Sequence, residues 1–134
     1  SSRKEVIIVK LNYDCIRDVL LTIEEIPNRK DELILANFKS YKKLSKYNED
    51  EIQYNALKLL QEEYVIGLKI SANNTTTVLF LTDLTWSGHA LLNDIRSETV
   101  FNQTKEKIIK SVGSASLTIF QQLASTIVLK TLGL

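Results

Sequence analysis

A chain of 134 residues, 44% hydrophobic and 25% charged, has the size and composition of one folded domain with its own core, which excludes an intrinsically disordered polyelectrolyte. Its formal net charge of +1 excludes the uniformly basic surface of a dedicated nucleic-acid binder, so any contact with phosphates must come from a local patch. One cysteine and one histidine exclude an intrachain disulfide and a cysteine-based zinc site; neither a metal nor a cofactor is expected.

The elements follow in chain order. Residues 1–9 hold a short apolar run, Val6 to Val9, behind Arg3, Lys4 and Glu5. The run falls short of the roughly 7–15 apolar residues of a signal peptide, so an edge strand or a simple N-terminal extension is the reading. Residues 12–26 predict an amphipathic helix, with Ile16, Val19, Leu20 and Ile23 on one buried stripe. Asn12 suits its N-cap, Asp14 its positive end, and Pro27 its stop. Asp14, Arg17 and Asp18 are expected on its solvated face, and Cys15 beside the core as a small apolar group.

A polar connector over residues 28–32 leads into residues 33–44, where a short strand is expected. Lys39, Lys42, Lys43 and Lys46 form the densest positive charge in the chain, interleaved with Tyr41 and Tyr47. Lysines beside aromatics suit phosphates and bases; solubilising lysines on a loop are the competing explanation. Residues 49–64 predict a second helix that buries Ile52, Ala56, Leu59 and Leu60. Asn48 and Glu51 approximate a capping box, and Glu51, Asn55, Lys58 and Glu62 are expected to face outward, with Tyr54 and Gln61 at the flanks.

Residues 65–70 read as a strand, residues 73–77 as a polar turn, and residues 78–81 as the returning strand of a hairpin. Thr85 or Ser87 then caps a third helix that Gly88 keeps slim and that turns Leu91, Leu92 and Ile95 inward, with Trp86 packing at the corner. A further helix starts near Thr99 and is interrupted at Gly113; Ser114 is placed to cap the last one. In residues 111–134 Lys130 is the only charged side chain, and Leu117, Phe120, Ala124, Ile127 and Val128 make an apolar stripe that Ile119, Leu123 and Leu132 broaden. That stripe has three ways to be covered: across its own domain, against the same helix of a second copy, or at a membrane surface.

Helix, connector, helix, hairpin and a Leu-Thr-x-x-Gly helix start is the order of winged-helix domains. Two longer strings, Lys10 to Arg17 (Lys-Leu-Asn-Tyr-Asp-x-Ile-Arg, with Cys15 at x) and Leu84 to Arg96 (Leu-Thr-x-x-Gly-His-x-x-Leu-x-x-Ile-Arg), are the more specific signature. With them the chain resembles a bacterial family of unknown function, domain of unknown function 2513, found in bacteria and their phages and prophages. The resemblance covers nearly all of the chain from Lys10 onward. It implies a phage or prophage setting and brings no catalytic residues.

The expected architecture is therefore α+β: an N-terminal segment over residues 1–9, a winged-helix-like domain with a small antiparallel hairpin over residues 10–97, and a C-terminal helical extension over residues 98–134. The leading function is nucleic-acid binding or regulation by a cytoplasmic protein with no membrane span. Duplex DNA would be held by Lys39, Lys42, Lys43 and Lys46 and by Gln53, Tyr54, Asn55 and Lys58 of the helix before the hairpin. The stripe from Leu117 to Val128 would join a homodimer. Against DNA stand Glu49, Asp50 and Glu51, which would meet the phosphate wall, and a hairpin read as bare of Lys and Arg. The alternative is an adaptor that binds another protein. No enzyme is expected: His89 has Asp83, Asp94, Thr85 and Ser87 near it in sequence, but at no catalytic spacing, and the four glycines form no phosphate loop.

Overall fold

The computed structural model describes residues 11–26, 33–72 and 76–134. The expectations for residues 1–9, for the connector over 28–32 and for the tip of the hairpin turn lie outside the described residues. The fold is α+β, with the element order α1 (Tyr13–Glu24), β1 (Leu33–Ile34), a kinked pair of 3₁₀ turns (Leu35–Ser40), α2 (Glu49–Gln61), β2 (Val65–Ala72), β3 (Thr76–Leu84), α3 (Trp86–Ile95), α4 (Glu98–Ser111) and α5 (Leu117–Thr131).

Local chemistry sets most helix boundaries. Asn12 Oδ1 accepts the Cys15 N–H at the start of α1, Asn48 Oδ1 the Glu51 N–H at the start of α2, and Thr85 Oγ1 the Gly88 N–H at the start of α3. Each satisfies one of the donors that a helix N-terminus leaves over. Ser116, not Ser114, caps α5 by accepting the Ile119 N–H, and α4 starts at Glu98 behind a Ser97 cap. At the end of α2, Tyr64 N–H reaches Leu59 O and Glu63 N–H reaches Leu60 O, a Schellman closure with Glu63 in the left-handed region at φ +60°.

The hairpin forms as expected: β2 runs antiparallel to β3, from Val65 opposite Leu84 to Ala72 opposite Thr76, with a bulge between Ile66 and Gly67. Gly67 is required there, because a Cβ would lie 2.2 Å from Phe80 O. On its other side β3 pairs with β1, so the sheet order is β1-β3-β2 and, among the described residues, β2 is an edge strand. Leu79, Leu81 and Leu84 point into the core; Val78 and Phe80 belong to the opposite face.

One core joins the sheet and all five helices. It contains Ile16, Val19 and Leu20 of α1, Ile52 and Leu59 of α2, Leu91, Leu92 and Ile95 of α3, and Phe101 and Ile108 of α4. The apolar stripe of α5 enters the same core. Phe120 is fully buried, stacked on Tyr13 at 4.4 Å between ring centroids and set edge-on to Phe101 at 6.1 Å. Tyr13 Oη donates to Ala115 O at 2.6 Å and accepts the Ala115 N–H at 2.9 Å, and Tyr64 Oη donates to Gln121 Oε1. Leu117 and Ala124 are buried too, Leu123 packs against the core, and Ile127 and Val128 are half-buried. Of the residues expected to form a dimer face, Leu117, Phe120 and Ala124 are covered within the protein's own core, whereas Leu123, Ile127 and Val128 are only partly covered and Ile119, Leu129 and Leu132 of the same C-terminal segment are exposed.

Burial also fixes how stability depends on pH. Cys15 is fully buried among Glu51, Asp18 and Asp14, and desolvation first, then those carboxylates, push its thiol from 9.0 to about 12. Burial and the hydrogen bond to Asp18 likewise raise Tyr47 well above the ordinary tyrosine value. A folded pKa above the unfolded one means that the unfolded chain loses its proton first, so this stability is complete below pH 9.0 and is lost as pH rises toward 12. By pH 10.5 Cys15 alone should remove about 2 kcal/mol. Denaturant midpoints at pH 7, 9 and 10.5 check this, and Cys15→Ala should flatten the slope.

Candidate interaction surface

The residues expected to touch DNA are scattered by the structure into different roles. Lys43 pairs with Glu25 at 2.6 Å and Lys46 with Asp18 at 3.0 Å, while Lys39 lies over the Phe38 ring. Lys42 and Lys39 are exposed and make no ion pair among the described residues. Asp18 is not solvated as expected: it is 8% exposed and accepts the Tyr47 hydroxyl at 2.6 Å. On α2, Gln53, Tyr54 and Lys58 are half-buried, and the Lys58 ammonium sits over the Tyr54 ring.

Asn55 is a clear correction. It is fully buried; its Oδ1 accepts the Asn12 N–H and its Nδ2 donates to Glu51 O, so it reads no base edge. Beside it, Glu51 Oε2 accepts Asn12 Nδ2. Glu49 and Asp50 are exposed at the start of α2, and Glu62 and Glu63 follow its end. The outward surface of this helix is acidic, which repels a phosphate backbone. The hairpin is not bare of positive charge, since Lys69 is exposed on β2.

The two long sequence strings turn out to brace the frame. Arg17 Nε donates to Ile95 O at 2.9 Å and Nη2 to Arg96 O at 2.7 Å, so the arginine of the first string caps the helix that carries the second. Its guanidinium also lies 5.4 Å above the Phe101 ring. Arg96 grips Glu24 with two parallel hydrogen bonds at 2.7 and 2.6 Å, which hold the Glu24 carboxyl below the usual range. Asp14 pairs with Lys105 at 3.1 Å, and Thr85 Oγ1 donates to Glu63 O at 2.6 Å. A polar cleft of about 140 Å³ between α1 and α4 is lined by Asp14, Arg17, Asp18, Lys46, Glu98, Phe101 and Asn102. Its Asp14, Arg17, Asp18 and Lys46 already have partners within the fold. Among the described residues no group of three His, Cys, Asp or Glu could hold a metal, and no helix is long and apolar enough to cross a membrane.

The unassigned surface lies on the hairpin. Ile66, Leu68 and Ile70 alternate along β2 and are 51%, 65% and 51% exposed, with Val78 and Phe80 half-buried on the same face of β3. Asp83, opposite Ile66, and the neighbouring Glu62 and Glu63 border one end of this face; none makes an ion pair among the described residues. Trp86 was expected to pack at the strand–helix corner, yet it is 91% exposed. It follows the Leu84–Val65 pair and so stands at the same acidic end of the hairpin. The sequence signal for this face was the run Val65 to Ile70, apolar at positions 66, 68 and 70 although only one sheet face has a core to meet.

The chain is similar to an uncharacterized protein of Haemophilus influenzae, with 31% identity over 120 residues, covering 90% of this chain and 96% of the relative. No solved structure matches it. Residues 10–115 match the family described as "Hypothetical protein (DUF2513)", a span that takes in both bracing strings and the hairpin. The chain belongs to this family of proteins of unknown function.

Proposed function

We propose that this protein is a non-enzymatic binding module that works through protein contacts on a winged-helix-like frame. The element order and the sheet order β1-β3-β2, with a short strand after the first helix returning to the hairpin, support the winged-helix layout. The observation that carries the function is the apolar outer face of the wing. Three aliphatic side chains at alternate positions, each half or more exposed, form a patch that a monomeric soluble surface rarely leaves without use. An exposed Trp at its end adds the side chain most enriched at protein-binding hot spots. A phage or prophage setting and a cytoplasmic location complete the proposal.

Duplex DNA is the second reading, favoured by exposed Lys39, Lys42 and Lys69. Opposing it, the helix that would enter the groove carries Glu49, Asp50 and Glu51 in its first turn. Electrophoretic mobility shift with random-sequence duplex DNA at about 50 mM salt separates the two. The expected result is no shift at micromolar protein. A shift that vanishes as salt rises, and that Lys39→Glu with Lys42→Glu abolishes, would overturn the protein-contact proposal.

A further inference from the structure

Building on the protein-contact proposal, we infer that the hairpin takes up an extended segment of a partner protein along β2. The segment alternates apolar side chains and carries Lys or Arg at the end that lies beside Glu62, Glu63 and Asp83. β2 is eight residues long, pairs with β3 on one side, and pairs with nothing on the other among the described residues. Such an edge offers a row of backbone donors and acceptors to an added strand. A strand added there sets every second side chain on the face of Ile66, Leu68 and Ile70, giving aliphatic neighbours across the new pair.

Charge selects among occupants. Among the described residues the acids at the Val65 end have no cation on that face: Lys69 pairs with Leu79 and so projects to the opposite side of the sheet. Nucleic acid meets the same acids as repulsion. A second copy, paired antiparallel about Leu68, would set Ile66 against Ile70 and Lys69 against the bare Gly67, and would leave the three acids unanswered. A partner segment with a basic end answers them.

The probe is a displayed library of random dodecapeptides, selected on the full chain and counter-selected on Leu68→Arg. Leu68 is 65% exposed, so this variant should fold, and its circular dichroism should match the parent. Enrichment should yield alternating apolar peptides with Lys or Arg at one end, and amide exchange in β2 should slow when such a peptide binds. Glu62→Gln combined with Glu63→Gly removes two charges and also relieves the positive φ at position 63; it should weaken these peptides about fivefold. Leu68-dependent peptides without a basic residue would overturn the partner chemistry while leaving the protein-contact proposal standing. No enrichment over Leu68→Arg would overturn both. A dimer in sedimentation that Leu68→Arg dissociates would assign the edge to a second copy and overturn the inference.

Discussion

Phe120→Ala should lower the unfolding free energy by about 4 kcal/mol, the largest effect expected of any side-chain truncation here. The ring is fully buried, stacked on Tyr13 and edge-on to Phe101, so its loss empties the junction of α1, α4 and α5 together. The surroundings have little freedom to collapse, because Tyr13 is pinned at its hydroxyl by Ala115 and α5 by the Ser125–Asp94 hydrogen bond at 2.5 Å. Single domains hold only about 5–15 kcal/mol in reserve, so truncation at Gly113, which removes Leu117, Phe120 and Ala124 at once, should unfold the protein rather than release an otherwise intact domain. Urea unfolding followed by far-ultraviolet circular dichroism is the measurement. Fluorescence is the wrong probe, since Trp86 is already 91% exposed in the folded state. A folded, stable 1–113 fragment would show that the C-terminal helices are an accessory rather than part of the core.

Gly88→Ala should cost about 3 kcal/mol although alanine is the better helix former by about 1 kcal/mol. A Cβ at position 88 would stand 1.9 Å from Tyr64 O and 3.1 Å from Tyr64 C, and backbone cannot rotate aside as a side chain would. Relief requires α3 to move off the start of β2. That movement would strain the Thr85 N–H to Tyr64 O bond and the Thr85 hydroxyl bond to Glu63 O. Ala90→Gly, an exposed change two residues along the same helix, should cost only the propensity difference of about 1 kcal/mol. If Gly88→Ala were instead the more stable of the two, the close approach of α3 to Tyr64 would be wrong.

Helices and hairpin were legible because their signals are local. The 3.6-residue stripe of Ile16, Val19, Leu20 and Ile23, and the caps at Asn12, Asn48 and Thr85, each need only a few neighbouring residues to be recognised. The misses all depend on distant partners. Asn55 looks like a surface residue until its contact with Asn12, 43 positions earlier, is known. Asp18 is drawn inward by Tyr47. For the α5 stripe, cover by its own domain was one of the three expectations, and Tyr13 and Phe101 supply it at Phe120. Trp86 failed in the other direction: hydrophobicity argues for burial, but an N-terminal helix position just past the last strand pair points it away from the core. The candidate site was hidden for a related reason, since alternation identifies a strand without telling which face the core will cover.

The most direct test of the hairpin face as a binding surface is to replace Ile66, Leu68 and Ile70 together by serine and to measure stability and peptide capture on the same preparation. Side chains that are half or more exposed contribute little to folding, so the unfolding free energy should stay within about 1 kcal/mol of the parent while enrichment of displayed peptides disappears. A loss of more than about 3 kcal/mol with capture unchanged would contradict it, because the three residues would then be holding the fold together and the binding surface would lie elsewhere.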